Sequence, residues 1–139
     1  MQTSDDRTRE RGGTVYEEYV LGVRIVEHDD GDGPRYRFDA PEHVEVAFED
    51  PETATLYADV YFDANGFQEE GTGEVGVPPA IIQAGRDTLV AYFLTQPYAD
   101  RNWVASFYGE KPEKIDRYVS RVRKRAANIR EGVAERGIE

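Results

Sequence analysis

Between Pro112 and Gly137 six apolar residues, Ile115, Val119, Val122, Ala126, Ile129 and Val133, recur at spacings of three and four. This is the strongest periodicity in the chain, and it predicts a helix opened by Pro112 and continuing to about residue 137. At 1.5 Å per residue, positions 112 to 136 span roughly 37 Å, which is longer than a small sheet can cover. Ile115, Val122 and Ile129 share one heptad position, and Val119, Ala126 and Val133 share another. The apolar stripe therefore persists to the overhanging end and calls for a partner surface there. A second copy of the chain is the simplest partner, so a homodimer is expected, with Ile115, Val119, Val122, Ile129 and Val133 as its interface.

Upstream the pattern differs. From residue 14 to 63, β-branched and aromatic residues alternate with polar ones between turn signals, the signature of strands. Tyr19, Leu21, Val23 and Ile25 fall on one face of a first run, which ends at His28-Asp29-Asp30-Gly31-Asp32-Gly33-Pro34. Tyr36 and Phe38 continue the pattern. Val44, Val46 and Phe48 form a third run with one wet face, and Leu56, Ala58, Val60 and Phe62 a fourth after the turn Asp50-Pro51-Glu52. Asn65-Gly66 suits a hairpin turn leading to a short edge strand at Phe67. From Pro78 the period becomes helical, with Ile81, Ile82, Gly85, Leu89, Tyr92 and Phe93 grouped on one face. Gln96-Pro97 interrupts it, and a short helix carrying Trp103, Val104, Phe107 and Tyr108 runs to Gly109. Strands first and helices afterwards predict an α+β domain: an antiparallel β-meander of four to five strands covered by two to three C-terminal helices. The expected organisation is a disordered polar tail over 1–13 and one domain over 14–139, with the sheet in 14–68 and the helices in 78–137.

Charge is the most specific global signal. There are 28 acidic residues against 17 basic ones, and among the basic residues only Lys111, Lys114 and Lys124 are lysines. A surface rich in carboxylates with Arg in place of Lys resembles that of haloarchaeal cytosolic proteins, and the resemblance concerns composition across the whole chain. It implies a cytoplasmic protein adapted to salt, because a net charge of −11 repels itself until molar salt shortens the Debye length to about 3 Å. The first 13 residues show no apolar targeting core and no segment approaches the roughly 20 apolar residues that cross a bilayer, so no membrane partner is expected. The absence of Cys excludes disulfides, thiolate metal sites and cysteine nucleophiles.

Few residues suggest chemistry. The run from His28 to Gly33 superficially resembles a calcium loop, but counted from Asp29 or Asp30 its twelfth position is Ala40 or Pro41 where a Glu is required, so it reads as a solvated turn. His28 and His43 are the only imidazoles, and a metal or acid–base site would need the fold to unite them with nearby carboxylates. Ser4, Ser106 and Ser120 lie outside any Gly-x-Ser-x-Gly elbow. Gly71-Thr72-Gly73-Glu74-Val75-Gly76 lacks the Gly-Lys-Ser/Thr ending of a phosphate loop and carries a repelling Glu74, so it reads as a loop. No metal and no cofactor are expected, and no catalytic residue is assigned.

Three functional readings remain. Residues 111 to 139 carry a net charge of +4, leaving −15 for the rest. The basic helix is accordingly expected to dock on the acidic body of its own or a neighbouring chain, giving a non-enzymatic interaction module that self-associates or holds a partner. A second reading is a small-ligand or hydrolytic domain, with Tyr57, Tyr61, Trp103, Phe107 and Tyr108 lining a pocket between sheet and helices. A third is a nucleic-acid accessory protein using Arg121, Arg123, Lys124 and Arg125, which the acidic body disfavours.

Overall fold

Residues 13–67 and 77–137 are described by the computed structural model. Residues 1–12 of the expected N-terminal tail and the Gly-rich loop fall outside this range, while Gly13, expected in the tail, opens the first strand. Four strands, β1 (Gly13–Glu18), β2 (Arg24–Asp29), β3 (Pro34–Asp39) and β4 (Val46–Phe48), form an antiparallel meander in sequence order. Five helices follow: α1 (Pro51–Asp63), α2 (Pro79–Ala84), α3 (Arg86–Leu94), α4 (Arg101–Tyr108) and α5 (Pro112–Glu135). The α+β class and the antiparallel meander are as expected from the sequence.

Two strand assignments are corrected. The run from Tyr19 to Ile25 is not continuous, because Leu21 and Gly22 both take positive φ (63° and 74°) and turn the chain back as a hairpin. The Tyr19 amide donates to the Val23 carbonyl across that turn at 2.8 Å. Side-chain alternation cannot register such a turn when apolar residues continue through it.

The larger correction is residues 51–63, which form helix α1 rather than a strand. Asp50-Pro51-Glu52 is a helix start: the Asp50 carboxylate accepts from the Thr53 amide at 2.8 Å, Pro51 occupies the first turn, and Glu52 favours the positive end of the helix dipole. Once formed, α1 is enclosed between the sheet and the other helices. Leu56, Tyr57, Ala58, Asp59, Val60 and Phe62 are all buried, so the helix has no broad polar face from which a 3.6-residue period is readable. Asn65 and Gly66 do take positive φ, but they close the C-terminus of α1, where the Gly66 amide donates to the Tyr61 carbonyl at 2.7 Å. No strand forms at Phe67.

The architecture is therefore layered. α1 packs on β2, β3 and β4, while α5 packs on α1, α3 and α4. Val23, Ile25 and Phe38 of the sheet meet Tyr57, Val60 and Phe62 of α1 in the main core, which Val122 and Ala126 of α5 close from the other side. A second core joins Val90, Val104, Ala105, Ile115 and Tyr118 between α3, α4 and α5. The helix expected from residue 78 is two pieces, because Gly85 takes φ of 114° and breaks it. Gly109, left-handed at φ 66°, ends α4 as expected.

Candidate functional site

The basic helix is held by its own domain. On α1, Asp59 and Asp63 stand one turn apart and face α5. Asp59, 5% exposed, accepts from Arg123 Nη1 at 2.7 Å through one oxygen and from Arg130 Nη1 at 2.8 Å through the other. Asp63 receives Arg125 through two parallel bonds of 2.8 and 3.0 Å, and the Thr88 hydroxyl donates to it at 2.6 Å. Arg125 also reaches Asp87 of α3 at 3.1 Å. The Asp63 and Asp87 carboxylates drive the Arg125 pKa further above its already high ordinary value, so this guanidinium keeps its charge. Arg130 additionally lies over the rings of Tyr19 and Phe62. Of the four residues read as candidate nucleic-acid contacts, Arg123 and Arg125 are thus engaged by carboxylates; Arg121 lies 3.9 Å from Asp87 and Lys124 is exposed.

The apolar stripe of α5 is consumed in the same way. Ile115, Val122 and Ala126 are fully buried within the chain, and Val119 and Ile129 pack against the main core. Val133 is half-buried near the helix end. The expected interface residues therefore lie chiefly in intrachain packing.

The five aromatic residues proposed for one pocket are not brought together. Tyr57 is buried and Tyr61 half-buried in a cluster with Phe38, His43 and Phe67 under the sheet. In that cluster His43 Nδ1 lies 3.0 Å from the Phe67 carbonyl, an acceptor, so Nδ1 carries the proton and donates. The ring's Nε2 lies 2.8 Å from the Tyr57 hydroxyl, within hydrogen-bonding distance. His28 sits at the opposite end of β3, paired in register with Arg35, so the two imidazoles form no joint site. Among the described residues no group of three or more His, Asp or Glu side chains is placed to hold a metal ion. The run from Asp29 to Gly33 is the β2–β3 hairpin turn, in which the Asp29 and Asp30 carboxylates accept from the amides of Gly31 and Asp32.

Trp103, Phe107 and Tyr108 belong instead to α4. The Asp100 carboxylate caps this helix by accepting from the Trp103 amide at 2.8 Å. Its inner face buries Val104 and Ala105, which turns Trp103 and Phe107, one turn apart, outward. The two rings stack at 5.3 Å between centroids and 7° between planes, and Tyr98 meets Trp103 edge-on at 5.5 Å. All three rings face solvent: Trp103 is 38% exposed, Tyr98 52% and Phe107 61%. Phe93 supports both Trp103 and Phe107 from beneath. The only charge on α4, Arg101, forms two bonds of 2.8 and 2.9 Å with Asp116. This pairing holds the Asp116 carboxyl below its usual range.

Sequence reasoning singled out Trp103 and Phe107 but placed them in a pocket, and it missed Tyr98. Their outward aim depends on which side of α4 docks against α3 and α5. Among the described residues no helix is long and apolar enough to cross a membrane. The chain matches no protein-family model, no curated protein and no solved structure.

Proposed function

We propose that this protein is a non-enzymatic interaction module that self-associates through the aromatic face of α4, with α5 acting as an internal strut. The observation that carries the reading is the exposed Tyr98, Trp103 and Phe107 cluster. A second copy is its occupant because of charge. On a molecule of net charge −11, two copies repel wherever carboxylates meet. The α4 face carries Asn102, Ser106, a mutually neutralised Arg101–Asp116 pair and, at the N-terminal end of the helix, the exposed Asp100 carboxylate, so the repulsion between two copies that meet on the rings is limited chiefly to Asp100. A two-fold contact also brings identical aromatic surfaces together, and aromatic rings are self-complementary in offset or edge-to-face packing.

The size of the patch sets the strength. Given about 150–250 Å² per aromatic side chain, the exposed portions of the three rings amount to roughly 300 Å². A standard interface takes about 800 Å² per partner, so the rings supply its centre and the α4 rim the remainder. The dimer is therefore expected in the micromolar range. Sedimentation velocity from 1 to 500 µM tests it, comparing wild type with a Trp103→Ala, Phe107→Ala variant. A concentration-dependent dimer lost in the variant supports the reading. A wild-type monomer throughout, or a dimer indifferent to the substitutions, refutes it.

A further inference from the structure

β4 is an edge strand among the described residues, hydrogen-bonded to β3 on one side only. Alongside its other edge runs a cleft of about 600 Å³. The continuous run 46–50 lines one side of it, the end of α3 and residues 95–97 line the other, and Tyr57 and Thr53 of α1 lie between. In an antiparallel pair, half of a strand's amide and carbonyl groups point away from the partner. All three residues of β4 line this cleft. β4 offers three extended residues, about 10 Å at 3.3 Å each, before the chain bends at Glu49 and Asp50.

We propose that this cleft binds an extended peptide segment, with alternating apolar and basic side chains, as a fifth strand added to β4. The backbone geometry specifies the conformation, since an added strand satisfies the outward polar groups of β4 with its own main chain. Its alternate side chains then point toward Tyr57 and Thr53 or toward solvent. The charge follows from the lining. Glu49 and Asp50 are both exposed, and the Asp50 carboxylate also caps α1. The one basic residue of the lining, Arg35, lies 3.3 Å from the Asp30 carboxylate and is neutralised by it. The field in the cleft is therefore negative, and a Lys or Arg of the incoming segment is its complement.

The same charges argue against a second copy here. An antiparallel β4–β4 pairing centred on Ala47 sets Glu49 of each copy opposite Glu45 of the other, and like charges directly opposed are destabilising. The cleft borders the α4 face, because Pro97 and Ala99 of its lining flank Tyr98, but none of the three exposed rings lines it, so peptide binding and dimerisation are read out separately.

The test is an amide-resolved NMR titration with a capped hexapeptide alternating valine and lysine. Two companion peptides accompany it: one with glutamate for lysine, and one with the valine–lysine sequence N-methylated at alternate backbone nitrogens. Saturable shifts confined to residues 46–50 and 94–97 are expected with the first peptide. Affinity should fall at least about tenfold for the glutamate peptide and be lost on N-methylation, while Glu49→Lys should weaken the first peptide about fivefold. Equal binding of the N-methylated peptide overturns the strand-addition mechanism, and equal binding of the glutamate peptide overturns the basic specificity. Shifts spread over other faces, no shifts at millimolar peptide, or concentration-dependent protection of the β4 amides without peptide, which is the mark of a second copy, each overturn the proposal.

Discussion

Replacing Asp59 by Ala removes the carboxylate that two arginines of α5 share and leaves both guanidinium groups facing a buried methyl. Hydrogen bonds to charged groups contribute about 1.5–3 kcal/mol each. Arg123 and Arg130 side chains are 35% and 22% exposed, so water screens part of this, and roughly 1–1.5 kcal/mol per bond is a reasonable share. Ala is the better helix former by about 0.6 kcal/mol, which offsets a fraction. The net loss is about 2 kcal/mol, or a fall in Tm of about 8 °C for a chain of this size. Thermal and urea unfolding followed by far-ultraviolet circular dichroism measures it. The control is Asp116→Ala, which breaks the exposed Arg101 pair and should cost no more than about 0.5 kcal/mol. Contacts of 2.7 and 2.8 Å lie inside even the roughly 3 Å Debye length of molar salt, so the Asp59→Ala deficit should persist there. A deficit below about 2 °C, or one no larger than that of Asp116→Ala, would refute the role given to this cluster in seating α5.

Two further outcomes are expected. Burial, reinforced by the carboxylates of Asp59 and Glu17, pushes the Tyr19 hydroxyl well above its ordinary value of 10. The folded chain thus keeps a proton that the unfolded chain releases above about pH 10, and the corresponding stability is present below that pH and lost as pH rises beyond it. Urea midpoints measured from pH 9 to 12 should fall for the wild type and fall less steeply for Tyr19→Phe; parallel curves would contradict this. Salt should stabilise the fold, because the 28 carboxylates exceed the 17 basic groups by 11 and the excess repels itself. Tm in dilute buffer is expected below Tm in molar KCl, and equal values would remove the salt-adapted reading drawn from composition.

How much of this was legible in the sequence depended on whether a helix has a wet side. α5 has one, so its stripe of Ile115, Val122 and Ala126 is plain, as is the Gly109 end of α4. α1 does not, and its all-round burial imitated the apolar alternation of a strand. That single misreading also hid the ion cluster. Asp59 and Asp63 fall on one helix face only when read at helical spacing, whereas the excess of arginine on α5 was visible without knowing its partners. In the hairpin, Gly22 is the available signal, and it is masked because Leu21 and Val23 extend the alternation across the turn. The α4 rings were noticed, but outward and inward faces of an eight-residue helix are decided by neighbours distant in sequence. The cleft beside β4 has no local signature, since its two sides lie about fifty residues apart.

The most direct measurement of the central claim uses the protein's own probe. Trp103 is the only tryptophan in the chain and lies at the centre of the proposed contact. Its emission, recorded from submicromolar to several hundred micromolar protein, should move to shorter wavelength as water leaves the ring on association, and Phe107→Ala should displace that transition to higher concentration. Emission that stays at one wavelength across the series while sedimentation reports a dimer would place the contact elsewhere on the molecule and contradict the account.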